Sequence, residues 1–441
     1  MQQFKKYDKY KDSGLDWLGE IPAGWVNFRI NKICIMVRGN TGFKKDELLE
    51  KGEFVALQYG KTYKVDEINN SFNFYVNSEF FKPDQTVHKG EIVLISTSET
   101  IDDLGHSFFY NRSDVGLLGG EQILLKPRKN LVHQKYLYYF TKVISDELRT
   151  FSTGLKVFRF SVEDLKNITL PLPPLKTQIK IAEFLDTRAA AIDAEIELLT
   201  TKAFKYKQLK QSLINKAATK GLNPSAEMKE TGIDWIGSIP KGWEVRRLEN
   251  LISLQNGFAF DSSVADTTGI PIIKMSNLKL GKISILDNNQ TAKVSKDLAS
   301  YLLKSDDILL GLSGSLENFA QVNKNDLPLY LNQRVCAIRN KAHLETNLLL
   351  YYIQSSMFTE QVAFNSTGTT ITNLSTNILL KFNFLLPLKD EQVQITEYLD
   401  AKTGQIDQII STINKKVLKL KMYRKVLIND VVTGKINVEG V

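Results

Sequence analysis

The sequence predicts an α+β fold: two tandem, pseudo-symmetric α+β domains joined by two long helices that form an antiparallel coiled coil. Three observations support this prediction. The chain carries the same border motifs twice, the stretches between those borders differ, and two long segments repeat apolar residues at coiled-coil spacing. With 441 residues, 43% of them hydrophobic, the chain is large enough for two domains that each have a core.

The first border motif contains tryptophan and occurs near the start of each repeat. Residues 12–25 read DSGLDWLGEIPAGW, and residues 230–243 read ETGIDWIGSIPKGW. The second border motif introduces the long helices. It reads PPLKTQIKIAEFLDTRAAAID at 173–193 and PLKDEQVQITEYLDAKTGQID at 387–407. Eight identities in each pair indicate a duplicated frame.

The segments inside this frame have diverged. Residues 30–150 and 250–365 share little beyond a pattern of short strands. A faint common trace is LYYF at 137–140, which matches LYYI at 350–353. The chain is therefore expected to present two different surfaces, whereas a homodimer of one half would present two identical ones.

Two long helices are predicted, over residues 175–220 and from about 389 to 432. Prolines precede the first helix, and Gly221 and Gly434 mark the two ends. A helix of about 45 residues would be roughly 65–70 Å long, too long for one face of a globular core, so each helix is expected to pair with the other. The predicted seam residues are Leu185, Ile192, Ile196, Leu199, Ala203, Tyr206 and Leu213 on the first helix, and Leu399, Ile406, Ile410, Ile413, Val417, Leu420 and Leu427 on the second.

Charge predicts the direction of pairing. Each helix is acidic in its first half and basic in its second half, which also complements the helix dipole. An antiparallel arrangement places each basic half against the acidic half of the other helix, whereas a parallel one aligns like charges. We predict an antiparallel pair with a globular head at each end. The alternative is that these charged side chains are merely solvated on the helix surface. The lysines could also line a path for DNA.

Each head is predicted to be compact and to mix strands with helices. Strand-like segments lie at 90–96 and 119–127 in the first head and at 306–313 and 332–340 in the second, and helical spacing covers 131–149 and 344–364. The tryptophans Trp17, Trp25, Trp235 and Trp243 are predicted to be core residues. The predicted boundaries are 1–171 for the first head, 172–222 for the first long helix, 223–385 for the second head, 386–434 for the second long helix and 435–441 for a C-terminal tail.

Charge also indicates the kind of partner. A net charge of +8 and a pI near 9.0 favour a polyanion, either nucleic acid or an anionic membrane. Lysine and arginine neutralise phosphates, and arginine and asparagine can pair with base edges.

The Ser-Thr-Gly turns at 152–154 and 366–368 would let backbone amides approach a phosphate. That they are ordinary turns without a ligand is an equally good interpretation. The candidate DNA-contacting residues are Arg29, Arg38, Lys44, Lys45, Lys61, Lys64, Thr153, Gly154, Lys156 and Arg159 in the first head, and Lys274, Lys279, Thr367, Gly368, Thr369, Thr370 and Asn373 in the second.

Sequence motifs for catalysis are missing. The segment 59–62 is similar to the tail of a phosphate-binding loop, but Val55 stands where that motif needs glycine. Asp84 and Glu91 are similar to part of a nuclease carboxylate cluster, but Val93 replaces the lysine. The four histidines lack metal-ligand spacing. We therefore expect no catalytic residue, no metal site and no cofactor on this chain.

Two further expectations concern the thiols and the cellular location. Cys34 and Cys336 lie in apolar, strand-like stretches and are expected to be buried free thiols. The start of the chain is polar, and no apolar run approaches the roughly 20 residues that cross a bilayer. A soluble, cytoplasmic protein is expected.

These features together resemble the specificity subunit of type I restriction-modification systems. The resemblance rests on two variable heads that alternate with two long helices, each introduced by a Gln-x-x-Ile-x-x-aromatic-Leu-Asp segment at 178–186 and 392–400. The DW(L/I)G-x-IP-x-GW motif is also common at the start of such heads, and the resemblance covers essentially the whole chain.

The resemblance implies a non-catalytic DNA-binding subunit. Each head would be a target-recognition domain that reads one half of an asymmetric, bipartite double-stranded DNA target. The helices would dock two methyltransferase (modification) subunits, and two restriction (translocase and nuclease) subunits would join them. S-adenosylmethionine, ATP and Mg²⁺ would belong to those partners. Two alternatives stay open at this point: an autonomous DNA enzyme, and a coiled-coil scaffold that does not contact nucleic acid.

Overall fold

The structure is a computed structural model that describes residues 4–154, 156–260, 269–285, 289–341, 343–365 and 374–439. The chain divides into two compact units, and one of them combines two separate parts of the chain. The first unit comprises Met1–Leu199 together with Lys415–Val441, and the second comprises Thr200–Asn414. Each unit therefore holds one head, the first half of one long helix and the second half of the other.

The head of the first unit contains two main sheets. Strand Ile92–Ile95 is central in the larger sheet, and all four of its residues are buried because both faces are covered. Ile92 and Leu94 face the core next to the long helices, while Val93 and Ile95 face a second core. The five-stranded sheet has the order Cys34–Arg38, Gln122–Pro127, Ile92–Ile95, Ser107–Tyr110 and Glu67–Ile68, and the four-stranded sheet has the order Tyr75–Val76, Phe54–Leu57, Gly116–Leu118 and Thr86–Val87.

The head of the second unit repeats this plan with fewer strands among its described residues. Strand Ile308–Gly311 takes the central position, with Ile308 and Leu310 in one core and Leu309 in another. The larger sheet has the order Ile252–Asn256, Val335–Asn340, Ile308–Gly311 and Phe319–Gln321, and the smaller has the order Thr291–Ala292, Ile270–Ile273 and Tyr330–Leu331.

Short strand pairs complete both heads. The tryptophan motif forms a hairpin in each unit, and the strand that follows it pairs with the strand leading into a long helix. The pairs are Tyr10–Asp12 with Glu20–Pro22, Val26–Arg29 with Thr169–Leu172, Thr97–Ser98 with Phe158–Arg159, Met228–Glu230 with Ser238–Pro240, Glu244–Arg247 with Asn383–Leu386, and Leu278–Lys279 with Lys282–Ile283.

The helices of the two heads differ at one point. The first head has a continuous helix, Gln134–Thr150, whereas the helical pattern at 344–364 is broken into Thr346–Gln354 and Ser356–Phe364. The backbone of Ser355 is extended, and its Oγ accepts a hydrogen bond from the Phe358 amide, so this residue caps a new helix. The shorter head helices are Ile30–Ile33, Tyr59–Thr62, Val162–Lys166, Leu248–Leu251 and Thr376–Leu380.

The two long helices are Leu175–Lys220 and Lys389–Val432, as predicted. None of the described helices is long and apolar enough to cross a membrane. Inside the first unit, Asp193 pairs with Arg424 at 2.9 Å and Glu195 with Lys416 at 2.7 Å. The partner number falls as the residue number rises, so the helices run antiparallel there.

The second unit also contains a charged pair between the helices. Lys210 lies 2.7 Å from Asp407, so a basic position of the first helix meets an acidic position of the second. The predicted antiparallel arrangement is confirmed. These charged side chains form ion pairs between the helices and are not merely solvated.

Burial along the helices follows the seam. Leu185 and Leu399 are fully buried, and Ile192, Ala203, Ile406, Ile413 and Leu427 are also buried. The stripe is widest where a head covers it, as at Leu427, Ile428 and Val431. The remaining seam positions are half-buried: Ile196, Leu199, Tyr206, Leu213, Ile410, Val417 and Leu420.

A repeated glutamine attaches each long helix to its head. Gln178 is buried, its Oε1 accepts the His133 amide at 2.7 Å, and its Nε2 donates to the Pro173 carbonyl at 2.8 Å. Gln392 does the same with the Glu345 amide and the Pro387 carbonyl, both at 3.0 Å. Because an unpaired buried amide is costly, these bonds fix the junction between head and helix.

A repeated tyrosine gives a second attachment and corrects the alignment of the heads. The Tyr139 hydroxyl donates to Asp186 at 2.6 Å, and the Tyr351 hydroxyl donates to Asp400 at 2.6 Å. Tyr139 is therefore equivalent to Tyr351, whereas the match of LYYF at 137–140 to LYYI at 350–353 would align it with Tyr352. The sequence match was wrong by one residue.

The tryptophans divide into two kinds. Trp25 and Trp243 are buried, as predicted, and each lies against the positive-φ glycine that ends a long helix, Gly434 and Gly221 respectively. The prediction of a core position was wrong for Trp235, which is 47% exposed and lines a cavity with apolar neighbours. Trp17 is half-buried against Phe140.

Candidate nucleic-acid interface

A one-turn helix in the first head presents two stacked tyrosines. The turn Tyr59–Thr62 follows the buried strand Phe54–Leu57, and the buried amide of Gln122 holds it by donating to the Thr62 hydroxyl at 2.8 Å. The rings of Tyr59 and Tyr63 stack with centroids 5.6 Å apart. Aromatic faces of this kind can stack on nucleobases or pack on sugars.

Basic side chains lie on the same turn. The Lys64 Nζ is 4.9 Å from the centre of the Tyr63 ring, and the Lys61 Nζ is 4.4 Å from the centre of the Phe74 ring. These cation–π contacts orient the lysines without neutralising their charge.

A distant hairpin completes this surface. Thr97 pairs with Arg159 across two short strands, and the backbones of Thr153 and Arg159 exchange hydrogen bonds of 3.0 and 3.1 Å. The Ser98 hydroxyl, next to Thr97, lies 3.2 Å from the Tyr59 hydroxyl. We call Tyr59, Tyr63, Lys64, Ser98 and Arg159 the tyrosine–arginine cluster.

Glycine is required at the tip of this hairpin. Gly154 has φ of 116°, and a Cβ there would lie 2.0 Å from the Val157 carbonyl oxygen. The tight turn exposes Thr153, Lys156 and Arg159 to solvent.

The charge of this surface suits a polyanion. Within the described part of the chain, Lys61, Lys64, Lys156 and Arg159 form no ion pair with an acidic residue. Their charges are therefore available to phosphates. Glu99 follows Ser98 and is exposed, and a carboxylate can accept a hydrogen bond from a cytosine amino group.

The other candidates of the first head lie at varying distance from this cluster. Lys44 and Lys45 are exposed next to Phe43, whose carbonyl accepts a 2.9 Å hydrogen bond from Gln58, the residue before Tyr59. Arg38 is exposed at the end of a sheet strand, and Arg29 lies in the strand pair that leads to the first long helix. Among the described residues, no hydrogen bond or ion pair links Arg29 or Arg38 to the tyrosine–arginine cluster.

The second head has a different surface at the equivalent place. Strand Ile270–Ile273 corresponds to Phe54–Leu57, since each pairs in parallel with the matching strand of its own unit. The one-turn helix that follows presents Met275, whose sulfur accepts a 3.3 Å hydrogen bond from the Ser313 hydroxyl. Lys274 is half-buried beside it, and Lys279 is exposed on a nearby hairpin.

The remaining candidates of the second head cannot be placed in this way. Leu374 donates to the Leu312 carbonyl at 2.7 Å, as Phe160 donates to Ser96 in the first head at 3.1 Å. Thr367, Gly368, Thr369, Thr370 and Asn373 precede Leu374 in the chain and lie outside the described residues.

Three residues of the cluster, Tyr59, Tyr63 and Ser98, are not among the candidates nominated from the sequence. The available signal for Tyr59 was the run YGKTYK at 59–64, which alternates aromatic and basic residues at helical spacing. Only Lys61 and Lys64 of that run were expected to contact DNA, and its first four residues are otherwise similar to the tail of a phosphate-binding loop. Ser98 had no local signal, because it joins the site through contacts with residues about 40 and 60 positions away.

The described residues offer no metal site. No group of three or more His, Cys, Asp or Glu among them could hold a metal ion. Cys34 and Cys336 are buried free thiols, and burial raises the pKa of each thiol to about 12. Thiols with such pKa values are poor nucleophiles and poor metal ligands.

The comparison with known families identifies the repeated frame. The family model described as the type I restriction modification DNA specificity domain matches twice, at residues 22–201 and 240–419. The chain belongs to this family. The two matches correspond to the two repeats seen in the sequence, and the predicted resemblance is confirmed.

Similar proteins carry the same description along the whole chain. The type I restriction enzyme MjaVIII specificity subunit of Methanocaldococcus jannaschii is 26% identical over 100% of this chain and 99% of its own length. The type I restriction enzyme EcoKI specificity subunit of Escherichia coli is 22% identical over 91% of this chain and 87% of its own length. The chain is thus a specificity subunit, the non-catalytic DNA-recognition component of a type I restriction-modification complex.

A solved structure shares the fold. It is described as the structural basis underlying complex assembly and conformational transition of the type I R-M system, and it superposes with a TM-score of 0.68 at 16% identity. The match covers 93% of this chain and 98% of that chain. At this identity, the likeness concerns the fold of the two α+β heads and the long helices.

The first prediction concerns Lys64 and Arg159 of the tyrosine–arginine cluster. We expect Lys64→Ala and Arg159→Ala to weaken DNA binding by the assembled complex. A residue that contacts phosphate should reduce the slope of log affinity against log salt by about one, whereas a residue that contacts a base should cost ~1–3 kcal/mol at one target position. Fluorescence anisotropy at several salt concentrations measures both effects.

Lys166→Ala is the matched control, because Lys166 is equally basic but pairs with Glu163. Equal affinities for all three variants and the parent would contradict the assignment.

Proposed function

We propose that each head is a target-recognition domain that reads one half of an asymmetric, bipartite DNA sequence. The observation that supports this proposal most is that the two heads attach to the helices in the same way but carry different surfaces. Gln178 and Gln392 make equivalent attachments, whereas Tyr59 and Met275 occupy equivalent positions with unlike chemistry. Two unlike surfaces would select two unlike half-sites.

The proposed domain boundaries follow the expectation from the sequence. The target-recognition domains would span 1–171 and 223–385, the spacer helices 172–222 and 386–434, and the tail 435–441. Lysine and arginine near the tyrosine–arginine cluster would position the DNA through phosphates, and the tyrosines, Ser98 and Glu99 would contact bases or sugars. The other predicted candidates, including those at 367–373, are also proposed to contact the DNA.

The long helices would set the separation of the two half-sites. A straight helix of 46 residues is about 69 Å long, and a groove of B-DNA returns to the same face every 34–36 Å or so. A fixed rod length would therefore restrict the number of base pairs between the half-sites. The target would be non-palindromic because the two heads differ.

The exposed apolar residues of the helices would dock modification subunits. In the first unit, Leu418, Met422 and Val426 are 60, 62 and 54% exposed, and a spacing of four residues places them on one helix face. In the second unit, Phe204 lies 214 positions before Leu418, the offset of the repeat, and is 59% exposed. One exposed apolar position at the equivalent place in each unit would give two docking points, so we propose two modification subunits per chain, and two restriction subunits would join that core.

The chemistry would belong to the partners. We place S-adenosylmethionine on the adenine-N6 methyltransferase subunits, and ATP and Mg²⁺ on the restriction subunits, with the whole complex in the cytoplasm. This chain would supply recognition and spacing, and its described residues contain no cluster of metal ligands.

Exchange of one head tests this proposal directly. Replacing residues 1–171 with the first head of another family member should change one half of the methylated sequence and leave the other half unchanged. Methylome sequencing of cells that carry the modification subunit and either chain measures this outcome. A change in both half-sites, or in neither, would refute the modular assignment.

A second test concerns the proposed docking face. The double variant Leu418→Ser with Met422→Ser should lose co-purification with the modification subunit, because it removes two exposed apolar side chains from one helix face. Lys415→Ser with Lys419→Ser is the matched control, since both lysines are exposed on the same helix at the same spacing. Retention of the modification subunit by the first double variant would contradict docking at this face.

A further inference from the structure

In the first unit, a group of ion pairs connects the head to both long helices. Lys142, on the head helix Gln134–Thr150, donates to Asp66 at 2.5 Å and to the Ser107 carbonyl at 2.5 Å. Asp66 lies 3.5 Å from Arg424 of the second long helix, and Arg424 lies 2.9 Å from Asp193 of the first. One arginine thus joins the helix pair to the head.

These charges lie in a partly enclosed site. Lys142 and Arg424 are only 16 and 20% exposed, and both line a cavity of about 450 Å³ between the head helix and the second long helix. Burial alone would raise the pKa of Asp66, but Lys142 and Arg424 outweigh it and hold that pKa below its usual value. The carboxylate is therefore charged at neutral pH and binds both cations.

A second pair strengthens the same junction. Lys425, next to Arg424 in the chain, lies 2.6 Å from Asp146 on the head helix, and Asp146 also pairs with Arg149 at 2.8 Å. Two neighbouring residues of the second long helix therefore bind two different points of the first head.

The second unit makes the equivalent junction differently. Lys210 corresponds to Arg424 and Asp407 to Asp193 at the repeat offset of 214, and their 2.7 Å pair preserves the bridge between the helices. Among the described residues, Lys210 forms no ion pair with the second head. That head instead makes neutral hydrogen bonds with the first long helix. The Gln211 side-chain amide donates to the Gln354 carbonyl at 2.7 Å, and the Ser356 backbone amide donates to the Asn215 side chain at 2.8 Å.

We propose that Asp66, Lys142 and Arg424 form a strut that fixes the orientation of the first head on the helix pair, and thereby the half-site spacing that the complex accepts. This inference rests on the proposed function. The three residues are positioning residues and contact no DNA. Loss of the strut frees the first head to tilt, so the complex tolerates a wrong spacing more readily while each head still reads its own sequence.

Arginine suits this role better than lysine. The Arg424 Nε faces Asp193 and its Nη2 faces Asp66, so one planar group holds two carboxylates on different elements. Arg424→Lys keeps the charge but offers a single ammonium group, so it retains only part of the strut.

The test measures spacing preference in the complex assembled with its modification subunits. The duplexes carry the target found by methylome sequencing, with the natural spacer or with a spacer one base pair shorter or longer. We expect Asp66→Asn and Arg424→Met to reduce the preference for the natural spacer by about fivefold, the size typical of a partly exposed charge pair. Arg424→Lys should give an intermediate preference.

Two controls separate orientation from folding and from recognition. Lys210→Met removes the equivalent charge, which forms no ion pair with the described residues of the second head, so it should keep the parental spacing preference. Single-base changes in either half-site should cost each variant as much affinity as they cost the parent, which shows that both heads are folded.

Three outcomes decide the matter. A parental spacing preference in Asp66→Asn and Arg424→Met refutes the strut. If Asp66→Asn or Arg424→Met no longer recognises the first half-site at all, the Arg424→Lys variant provides the test. A parental spacing preference in Arg424→Lys also refutes the strut. If the parental complex shows no dependence on either half-site or spacer, the proposed function itself fails.

Discussion

The opposite direction of the two long helices is the constraint on which the rest of this structure depends. Because the helices run antiparallel, the second half of each helix lies in the unit that contains the other repeat. Trp25 of the first unit therefore lies against Gly434, at the end of the second helix, and Trp243 of the second unit lies against Gly221, at the end of the first. The apolar seam supplies most of the favourable free energy, since exposed ion pairs contribute about 0–1 kcal/mol each. The charges instead select the direction, because a parallel pair would place like charges together.

The same constraint explains how a specificity subunit can vary its target. The attachment of each head uses buried, fully bonded groups of the frame, Gln178 and Tyr139 in one unit and Gln392 and Tyr351 in the other. The residues of the tyrosine–arginine cluster lie on a one-turn helix, the residues just after it and a short strand pair, none of which takes part in this attachment. The surface can therefore change from Tyr59 to Met275 while the junction with the helices stays the same. The charged strut of the first unit is an addition to this common frame.

Patterns repeated along the chain were predictable, and contacts between distant segments were not. The helix bounds and their direction followed from a three-four apolar repeat and from the separation of acidic and basic halves. The break at Ser355 was missed because a single polar residue hardly disturbs helical spacing, and the exposure of Trp235 was missed because its motif closely matches that of the half-buried Trp17, with eight identities in fourteen residues. The tyrosine–arginine cluster joins residues 59–64, 98 and 159 through the folding of sheets, which no local pattern records. Basic residues could be nominated, but their grouping required the fold.

Zero-length carbodiimide crosslinking of the purified chain, followed by mass spectrometry of its monomer, tests the antiparallel pairing most directly. The structure predicts a link between Glu195 and Lys416 in the first unit and a link between Lys210 and Asp407 in the second, since these oppositely charged groups lie 2.7 Å apart in both cases. Links that join Glu195 to the acidic-half lysines of the second helix, such as Lys402, or the absence of any link between the two helices within one chain, would contradict the account.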